Sequence, residues 1–204
     1  MLAVDHGSEE AVYKGAALGT VGSETHLYVT NFHARKVEIY DENFIEIDTA
    51  LTFADPDIPS DFAPFGIENI NGSIYVTYAK QDADGEDDVP GEGHGFVDVF
   101  DTEGNFISRL ASHGGLNSPW GLALAPHDFG EFSDALLVGN FGDGRIHAFD
   151  ATSGAFLGAL IRPDGTPLDF DGLWALHSID NAVFFTAGIA DETHGLFGMI
   201  IATK

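Results

Sequence analysis

An internal repeat runs through the sequence and constrains its fold more than any other feature. Residues 27–47, 74–110 and 136–160 align with one another. Each segment contains an apolar strand, a polar break, a second strand ending in an aromatic residue and Asp, a tight turn, and a third strand opened by Phe. Asp, Asn and Gly occupy the turns, where the backbone of a hairpin needs them. The repeat therefore predicts consecutive antiparallel hairpins.

A further short strand containing glycine precedes each of these segments, and a fourth copy follows them. Gly15, Gly66, Gly121 and Gly172 recur every 51 to 55 residues. Four short antiparallel strands in a repeat of this length are typical of a β-propeller blade. The sequence therefore predicts an all-β fold, a β-propeller of four-stranded antiparallel blades, in a single domain of residues 1–204. The four predicted blades cover approximately residues 15–48, 63–110, 119–161 and 171–203.

The two ends of the repeat bear on how the blades close. The fourth copy stops after its third strand, and a short apolar segment, residues 9–14, precedes the first copy. A strand missing at the end of the repeat and a spare segment before its start predict that residues 9–14 complete the fourth blade and cover its exposed edge. Two other arrangements remain open: the four blades are part of a larger ring, or two chains pair as a homo-oligomer to make one.

The charge and composition exclude several classes of function. The chain has 33 acidic residues against 8 basic ones, a formal net charge of −25 at pH 7, which argues against nucleic acid or an anionic membrane as a partner. It contains no Cys, which excludes a disulfide scaffold and thiolate catalysis. No apolar run is long enough for membrane insertion. An extracytoplasmic protein or a calcium-loaded one has this kind of composition.

Several stretches resemble a family of uncharacterised bacterial NHL-like β-propellers associated with PEP-CTERM sorting. The resemblance lies in YAKQDAD and GFVDVFD within 78–101, SPWGLALAP at 118–126, LLVGNFGDGRIHAFD at 136–150, FDGLWAL at 170–176 and FFTAGIADETHGLFG at 184–198. It implies a propeller of about six blades that is secreted or attached to the cell surface. It implies no activity. The expected location is therefore extracytoplasmic, with a cytoplasmic one left open.

One acidic insertion, residues 80–96, interrupts the second repeat between two apolar strands. Asp82, Asp84, Asp87 and Asp88 place four carboxylates in seven residues around Gly85. Calcium takes about six to eight oxygen ligands, and alternating acids on a tight loop supply them. The sequence therefore makes these four aspartates a candidate Ca²⁺ site. The alternatives are an acidic loop that simply stays solvated and a loop that contacts a ligand directly.

Other candidate residues fall in loops equivalent to this insertion, on the propeller face where ligands usually bind. The candidate ligand-binding residues of this face are Asn31, His33, His94, Asn140, Asp143 and His194. Matched Asn side chains could bind a ligand or cap a turn, and the His side chains could form a metal or general-base site or be structural. Trp120 and Trp174 could form a stacking platform or pack blade against blade.

Two functions are compatible with these residues. The first is a binding or scaffold propeller whose small-molecule or protein partner lies on the face that carries the insertion. The second is a metal-dependent hydrolase or lyase of the lactonase-like propeller type, with a cation on the central axis held by Asn and Asp. No G-x-S-x-G motif supports nucleophilic catalysis by serine. The sequence leaves open whether the protein is an enzyme.

Overall fold

The structure is a computed structural model that describes residues 2–47 and 53–203 of the chain. In these residues fourteen strands form four antiparallel sheets, and the two 3₁₀ turns, Gly7–Glu9 and Gly130–Phe132, are the only helical segments. The prediction of an all-β propeller built from antiparallel blades is confirmed. In the same residues, no helix is long and apolar enough to span a membrane.

Each sheet is one blade, and its strands follow one another in sequence order. Blade 1 contains β1 (Tyr13–Val21), β2 (Glu24–Asn31) and β3 (Lys36–Tyr40). Blade 2 contains β4 (Phe62–Ile70), β5 (Ser73–Lys80), β6 (Gly95–Phe100) and β7 (Phe106–Ser112). Blade 3 contains β8 (Pro119–Leu124), β9 (Leu136–Asn140), β10 (Ile146–Phe149) and β11 (Phe156–Ala159). Blade 4 contains β12 (Leu173–Ile179), β13 (Ala182–Ile189) and β14 (His194–Ile201).

The blades pack face to face in sequence order through their first strands. β1 contacts β4, β4 contacts β8, and β8 contacts β12, so the first strand of each blade is the inner one. We call the face of a blade that points toward the next blade its leading face, and the opposite face its trailing face. In the described part of the chain, β1 and β12 form no interface comparable to these three. The four blades therefore make an arc with two free ends.

Apolar side chains fill the three junctions between neighbouring blades. Tyr28 and Ile39 of blade 1 pack with Ile74 and Val76 of blade 2. Val97 and Val99 pack with Leu136 and Val138 at the second junction. Leu137, Ile146 and Ala148 pack with Val183 and Phe185 at the third junction. Burial of these alternating side chains on both faces is the main source of stability in the arc.

Three of the repeated glycines allow the inner strands of neighbouring blades to approach closely. A Cβ atom on Gly15, Gly66 or Gly121 would lie 3.1, 2.1 or 2.5 Å from the carbonyl oxygen of Phe65, Trp120 or Trp174 in the next blade. The fourth glycine is different. Gly172 has a positive φ of 62° in a turn before β12, so it does not belong to the series. Ala175, directly after Trp174, takes the corresponding place in blade 4.

The predicted Asp turns close three outer hairpins. The carboxylate oxygen Oδ1 of Asp41 accepts hydrogen bonds from the backbone N–H groups of Asn43 and Ile45, at 2.9 and 2.8 Å. Asp101 and Asp150 make equivalent bonds in blades 2 and 3. The backbone N–H groups lower the pKa of Asp41 and Asp150 because they stabilise the charged form. These are Asx turns, as the sequence indicated.

The expected pairing of residues 9–14 with the fourth blade is wrong in this structure. Tyr13 begins β1 and pairs with Asn31 of the same blade, and its hydroxyl donates to Glu38 at 2.7 Å. These contacts hold the segment on blade 1. Within the described ranges β14 pairs with β13 alone, so its outer edge is free. The predicted end of the first blade, residue 48, lies outside the described residues.

Candidate functional site

The acidic insertion is a loop within one blade, as the sequence predicted. It connects β5 to β6, and Ala79 pairs with Gly95 at its base. Inside the loop the N–H of Asp82 donates to the carbonyl of Asp87 at 2.9 Å, and the N–H of Glu86 donates to the Asp82 carboxylate at 3.0 Å. Desolvation alone would raise the pKa of Asp82, but the hydrogen bonds from backbone N–H groups lower it overall. The loop is therefore a folded unit.

Contacts on both sides fix this loop to the neighbouring blades. On the side of blade 1, the ammonium group of Lys14 lies 3.1 Å from the Asp87 carboxylate. The amide of Gln81 donates to the carbonyl of Phe32 at 2.6 Å and accepts a hydrogen bond from the Arg35 side chain. On the side of blade 3, the N–H of Gly91 donates to the Asn117 side chain at 2.7 Å. The loop thus spans three blades on one face of the arc.

The four predicted calcium ligands point to different partners. The Asp82 carboxylate accepts backbone N–H groups of its own loop, Asp84 is exposed, and Asp87 pairs with Lys14. Asp88 is half-buried beside Ser118, and burial raises its pKa. Across residues 2–47 and 53–203, no three His, Asp or Glu side chains are placed to hold a metal ion together. Calcium binding by these residues stays a prediction, which a change in melting temperature on chelation would support.

The two matched asparagines are buried, and their amides are engaged by groups of the protein itself. Asn31 accepts the N–H of Ala34 at 3.1 Å and donates to Glu38 at 2.7 Å. Asn140 accepts the N–H of Asn117 at 3.1 Å and donates to the carbonyl of Gly115 at 2.8 Å. Their amides therefore hold turns in place and do not converge on a shared ligand position.

The histidines and Asp143 are distributed around the face. His33 lies against the acidic loop at Gly85, with its Nε2 3.8 Å from the Glu10 carboxylate. The Nδ1 of His94 is 2.8 Å from the carbonyl of Val89, inside the same loop. His194 is exposed and contacts Thr193, and Asp143 accepts the N–H of Arg145 in a turn. The structure brings His33 and His94 to the loop and leaves the other two residues apart.

Aromatic side chains converge where the inner strands of the blades meet. We call Phe32, Phe65, Trp120, Phe141 and Trp174 the mouth cluster. Ring centroids of Phe141 and Trp174 are 4.5 Å apart, and those of Trp120 and Trp174 are 5.5 Å apart and edge to face. Phe32 and Phe65 are fully buried below, whereas the other three rings are half-buried. Blade packing and an accessible aromatic surface are therefore combined in one cluster.

Lys14 connects the mouth cluster to the acidic loop. Its backbone carbonyl accepts the indole N–H of Trp120 at 3.0 Å, which joins blades 1 and 3 across the arc. Its ammonium group lies 5.7 Å from the centre of the Phe32 ring, in the range of a cation–π contact, and pairs with Asp87. On the opposite side the indole N–H of Trp174 donates to Glu192 at 2.6 Å. The half-buried rings are thus bordered by carboxylates.

The sequence indicated Trp120 and Trp174 but missed Phe32 and Phe141. Both phenylalanines follow the matched asparagines in the Asn-Phe pairs at 31–32 and 140–141. The repeated Asn-Phe pair therefore did indicate members of the mouth cluster, through the aromatic residue of each pair. The polar residue was the more conspicuous candidate because amide groups bind ligands.

A cation on the central axis does not fit these residues. Such an ion needs oxygen ligands from several blades, at the place where inner strands converge. In the described chain this place is occupied by the rings of the mouth cluster. The amide of Asn31 binds Ala34 and Glu38, and that of Asn140 binds the loop between β7 and β8. The donor set of a lactonase-like centre is therefore not assembled here.

No family model matches the chain. Two relatives are uncharacterised proteins of Acanthamoeba polyphaga mimivirus. One is 37% identical over 182 residues, which is 85% of this chain and 45% of the relative. The other is 34% identical over 203 residues, which is 95% of this chain and 52% of the relative. The chain thus spans about half the length of these two curated relatives.

Solved structures of other proteins have a similar fold. A GH43 β-xylosidase/α-arabinofuranosidase from a compost microbial metagenome has a TM-score of 0.57 at 11% identity, covering 98% of this chain and 76% of that one. The U3-55K protein has a TM-score of 0.56 at 8% identity, covering 98% of this chain and 56% of that one. Likeness at such low identity shows a shared β-propeller fold and nothing about the reaction or ligand.

Proposed function

We propose that this chain is a ligand-binding β-propeller whose binding site is the accessible part of the mouth cluster. The observation that carries the proposal is the convergence of three half-buried rings, Trp120, Phe141 and Trp174, which Lys14 connects to the inserted loop. Aromatic rings held in place by a rigid scaffold offer a large contact area at a small entropic cost. Strand ends of several blades surround them, as in most propeller sites.

The chemistry around the rings favours a neutral or cationic ligand with a flat apolar face. Asp87 and Glu192 border the cluster, and the whole chain carries a formal charge of −25. This field repels anions and concentrates cations near the face. A sugar ring fits, because its apolar face stacks on an indole while its hydroxyls reach the flanking carboxylates. We therefore propose neutral oligosaccharides as the first ligand class to test.

The two tryptophans of the chain both lie in the mouth cluster, so tryptophan fluorescence, excited selectively over the five tyrosines, reports on this site. We expect neutral xylo- and cello-oligosaccharides to change the emission in a saturable way. Acidic oligogalacturonates should produce no such change, because the acidic face repels them. A chain whose emission and calorimetric heat are unchanged by any of the neutral sugars would contradict the saccharide proposal.

A pair of variants separates binding at the mouth from binding elsewhere. Trp174→Ala removes a half-buried ring, and isothermal titration calorimetry should then show at least a tenfold weaker affinity. Phe106→Ala removes an exposed ring on the outer strand of blade 2, away from the mouth, and should leave affinity unchanged. Equal affinities for the two variants would place the ligand outside the mouth cluster.

A further inference from the structure

One position of the inner strand carries alanine in two blades and an ionisable residue in the other two. Strand pairing aligns Glu68 of β4 and His177 of β12 with Ala17 of β1 and Ala123 of β8. Both alanines are buried where neighbouring blades meet, with 9% and 4% of their surface exposed. Blade packing at this position therefore needs only a methyl group. The carboxylate of blade 2 and the imidazole of blade 4 require another explanation.

Glu68 and His177 line the same cavity. It has a volume of about 170 Å³, and the ends of the inner strands of blades 2, 3 and 4 form its wall. Glu68 is half-buried and His177 is exposed, so the cavity is open to solvent. The mouth cluster lies at the other end of these strands, with Trp120 near the start of β8 and Trp174 near the start of β12. The cavity is therefore on the opposite face of the arc and is separate from the site proposed above.

Most other polar side chains of the cavity wall are already bound to the backbone. The amide of Asn69 donates to the carbonyl of Leu18 at 2.8 Å and accepts the N–H of Gly72 at 2.9 Å. The hydroxyl of Ser178 donates to a backbone carbonyl of β8 at 2.5 Å. Asn71 is exposed in the turn between β4 and β5. The apolar part of the wall consists of Ile70, Leu122, Ala123 and Leu124.

The Glu68 carboxylate has no partner that compensates for its burial. Within residues 2–47 and 53–203 it accepts no hydrogen bond and forms no ion pair, and His177 is the one charged group that acts on it. Burial raises the pKa of Glu68, and His177 opposes this shift when its imidazole is protonated. A half-buried carboxylate in this situation is stabilised by a charged hydrogen-bond donor.

We propose that this cavity binds a small primary ammonium ion with a short aliphatic chain. An ammonium group has three N–H donors, and the Glu68 carboxylate and a neutral His177 imidazole can accept them together. The aliphatic chain packs on the apolar part of the wall and is removed from water. The formal charge of −25 concentrates cations near the protein and repels anions.

The size of the cavity and its ligand set disfavour other occupants. Pockets for drug-sized molecules measure about 300–1,000 Å³. A cavity of about 170 Å³ is therefore too small for an oligosaccharide and suits a molecule with few non-hydrogen atoms. Metal ions are usually held by three or more protein ligands, and the described part of the chain contains no such group of His, Asp and Glu side chains. A short alkylammonium ion satisfies both limits.

A titration with n-butylammonium chloride, monitored by NMR of the ¹⁵N-labelled chain, tests the proposal. We expect saturable shifts of the backbone amide signals of Glu68, Leu124 and His177, with a dissociation constant on the order of 1 mM. The neutral isostere n-butanol and the anion butyrate should produce no saturable shift. Equal binding of n-butanol would show that the cavity recognises only the aliphatic chain, which would overturn the proposal. Saturable binding of Zn²⁺ without binding of n-butylammonium would overturn it as well.

Two variants alter the proposed contacts, and a third is their control. Glu68→Gln removes the charge and keeps the shape, so it should weaken n-butylammonium binding about tenfold or more without lowering the melting temperature. His177→Lys supplies an ammonium group from the chain itself, so it should abolish binding and raise the melting temperature. Asp180→Asn removes a charge from the exposed turn between β12 and β13 and should leave the affinity unchanged. Equal losses in the Asp180 and Glu68 variants would mean that the general field attracts the amine, against the proposal.

A second probe distinguishes the two sources of a primary ammonium group, free amines and the lysine side chains of proteins. Nα-acetyl-lysinamide presents the lysine side chain on a short piece of backbone. Tighter binding of n-butylammonium would assign the cavity to free amines, whereas tighter binding of the lysine derivative would assign it to a lysine of another protein. The absence of saturable binding for both probes would contradict the proposal.

Discussion

One position on the third strand carries a buried polar side chain in blades 1, 2 and 3. Glu38, Asp98 and His147 are paired with Val29, Val76 and Val138, and all three are at most 6% exposed. Their environments differ. Glu38 accepts hydrogen bonds from Asn31, Tyr13 and Tyr40, whereas Asp98 shares Arg109 with Asp55. The carboxyl groups of Glu38 and Asp98, at the same position of the repeat, should therefore change stability with pH in opposite directions.

Asp98 should destabilise the fold as the pH rises. Burial, and then the charge of Asp55, raise the pKa of Asp98 to about 7, although Arg109 opposes the shift. The folded state then holds a proton that the unfolded state releases near pH 4, so stability decreases as the pH rises from about 4 to about 7. We expect Asp98→Asn to raise the free energy of unfolding, relative to the unsubstituted chain, by about 2 kcal/mol more at pH 8 than at pH 4. Urea denaturation measures this, and a pH-independent difference would contradict it.

Glu38 should have the opposite effect. Burial would raise the pKa of Glu38, but hydrogen bonds from Asn31, Tyr40 and Tyr13 outweigh it and lower the pKa to about 2. Its stabilising contribution is present above about pH 4.5 and is lost as the pH falls toward 2. Glu38→Gln should therefore cost about 2 kcal/mol at pH 7 and less at pH 3. The exposed Glu103→Gln is the control, and equal losses in the two variants would argue against a special role for Glu38.

Sequence reasoning identified the side chains around the insertion but not their partners. Which carboxylate pairs with Lys14, and which amide caps its own turn, depends on atoms brought together from three blades. Spacing within a single loop contains no such information. Sequence analysis identified part of the mouth cluster, because Trp120 and Trp174 recur beside the repeated glycine positions. It did not identify Phe32 and Phe141, because the asparagine before each of them was the more obvious candidate for ligand binding.

At the scale of the strand, close approach of neighbouring inner strands is the strictest requirement. Gly66→Ala would place a Cβ about 2.1 Å from the carbonyl oxygen of Trp120, which is backbone and cannot rotate away. We expect it to destabilise the fold by about 3 kcal/mol in equilibrium unfolding. Gly195→Ala, on β14, meets no atom within 4 Å and should change stability by less than about 1 kcal/mol. Similar losses for the two variants would show that the close approach is unimportant.

The blade repeat was predictable from sequence because apolar alternation and turn residues are local signals. The Asp turns and the position of the insertion between two pairing strands followed from the same signals. Two local assignments failed for physical reasons. Gly172 matched the spacing of the other glycines but supplies a positive φ in a turn. Residues 9–14 looked like a free strand, but the contacts of Tyr13 with Glu38 and Asn31 place them on blade 1.

At the scale of the whole molecule, the formal charge of −25 opposes the compact state, because folding brings like charges closer together. Raising the salt concentration from about 0.02 M to about 0.3 M shortens the screening length several-fold. We expect the melting temperature to rise over this range, as differential scanning calorimetry would measure. A melting temperature that falls with salt would indicate that ion pairs such as Arg109–Asp55 outweigh the repulsion.

Ala175 occupies in blade 4 the place that glycine has in the other three blades. Among the described residues no further inner strand packs on this place, so its Cβ meets no such backbone. Ala175→Gly should therefore cost roughly 0.5–1 kcal/mol, because glycine in a strand costs conformational entropy. The exchange of one methyl group thus lowers stability in opposite directions at equivalent places of the repeat: adding it is harmful at Gly66, and removing it is harmful at Ala175.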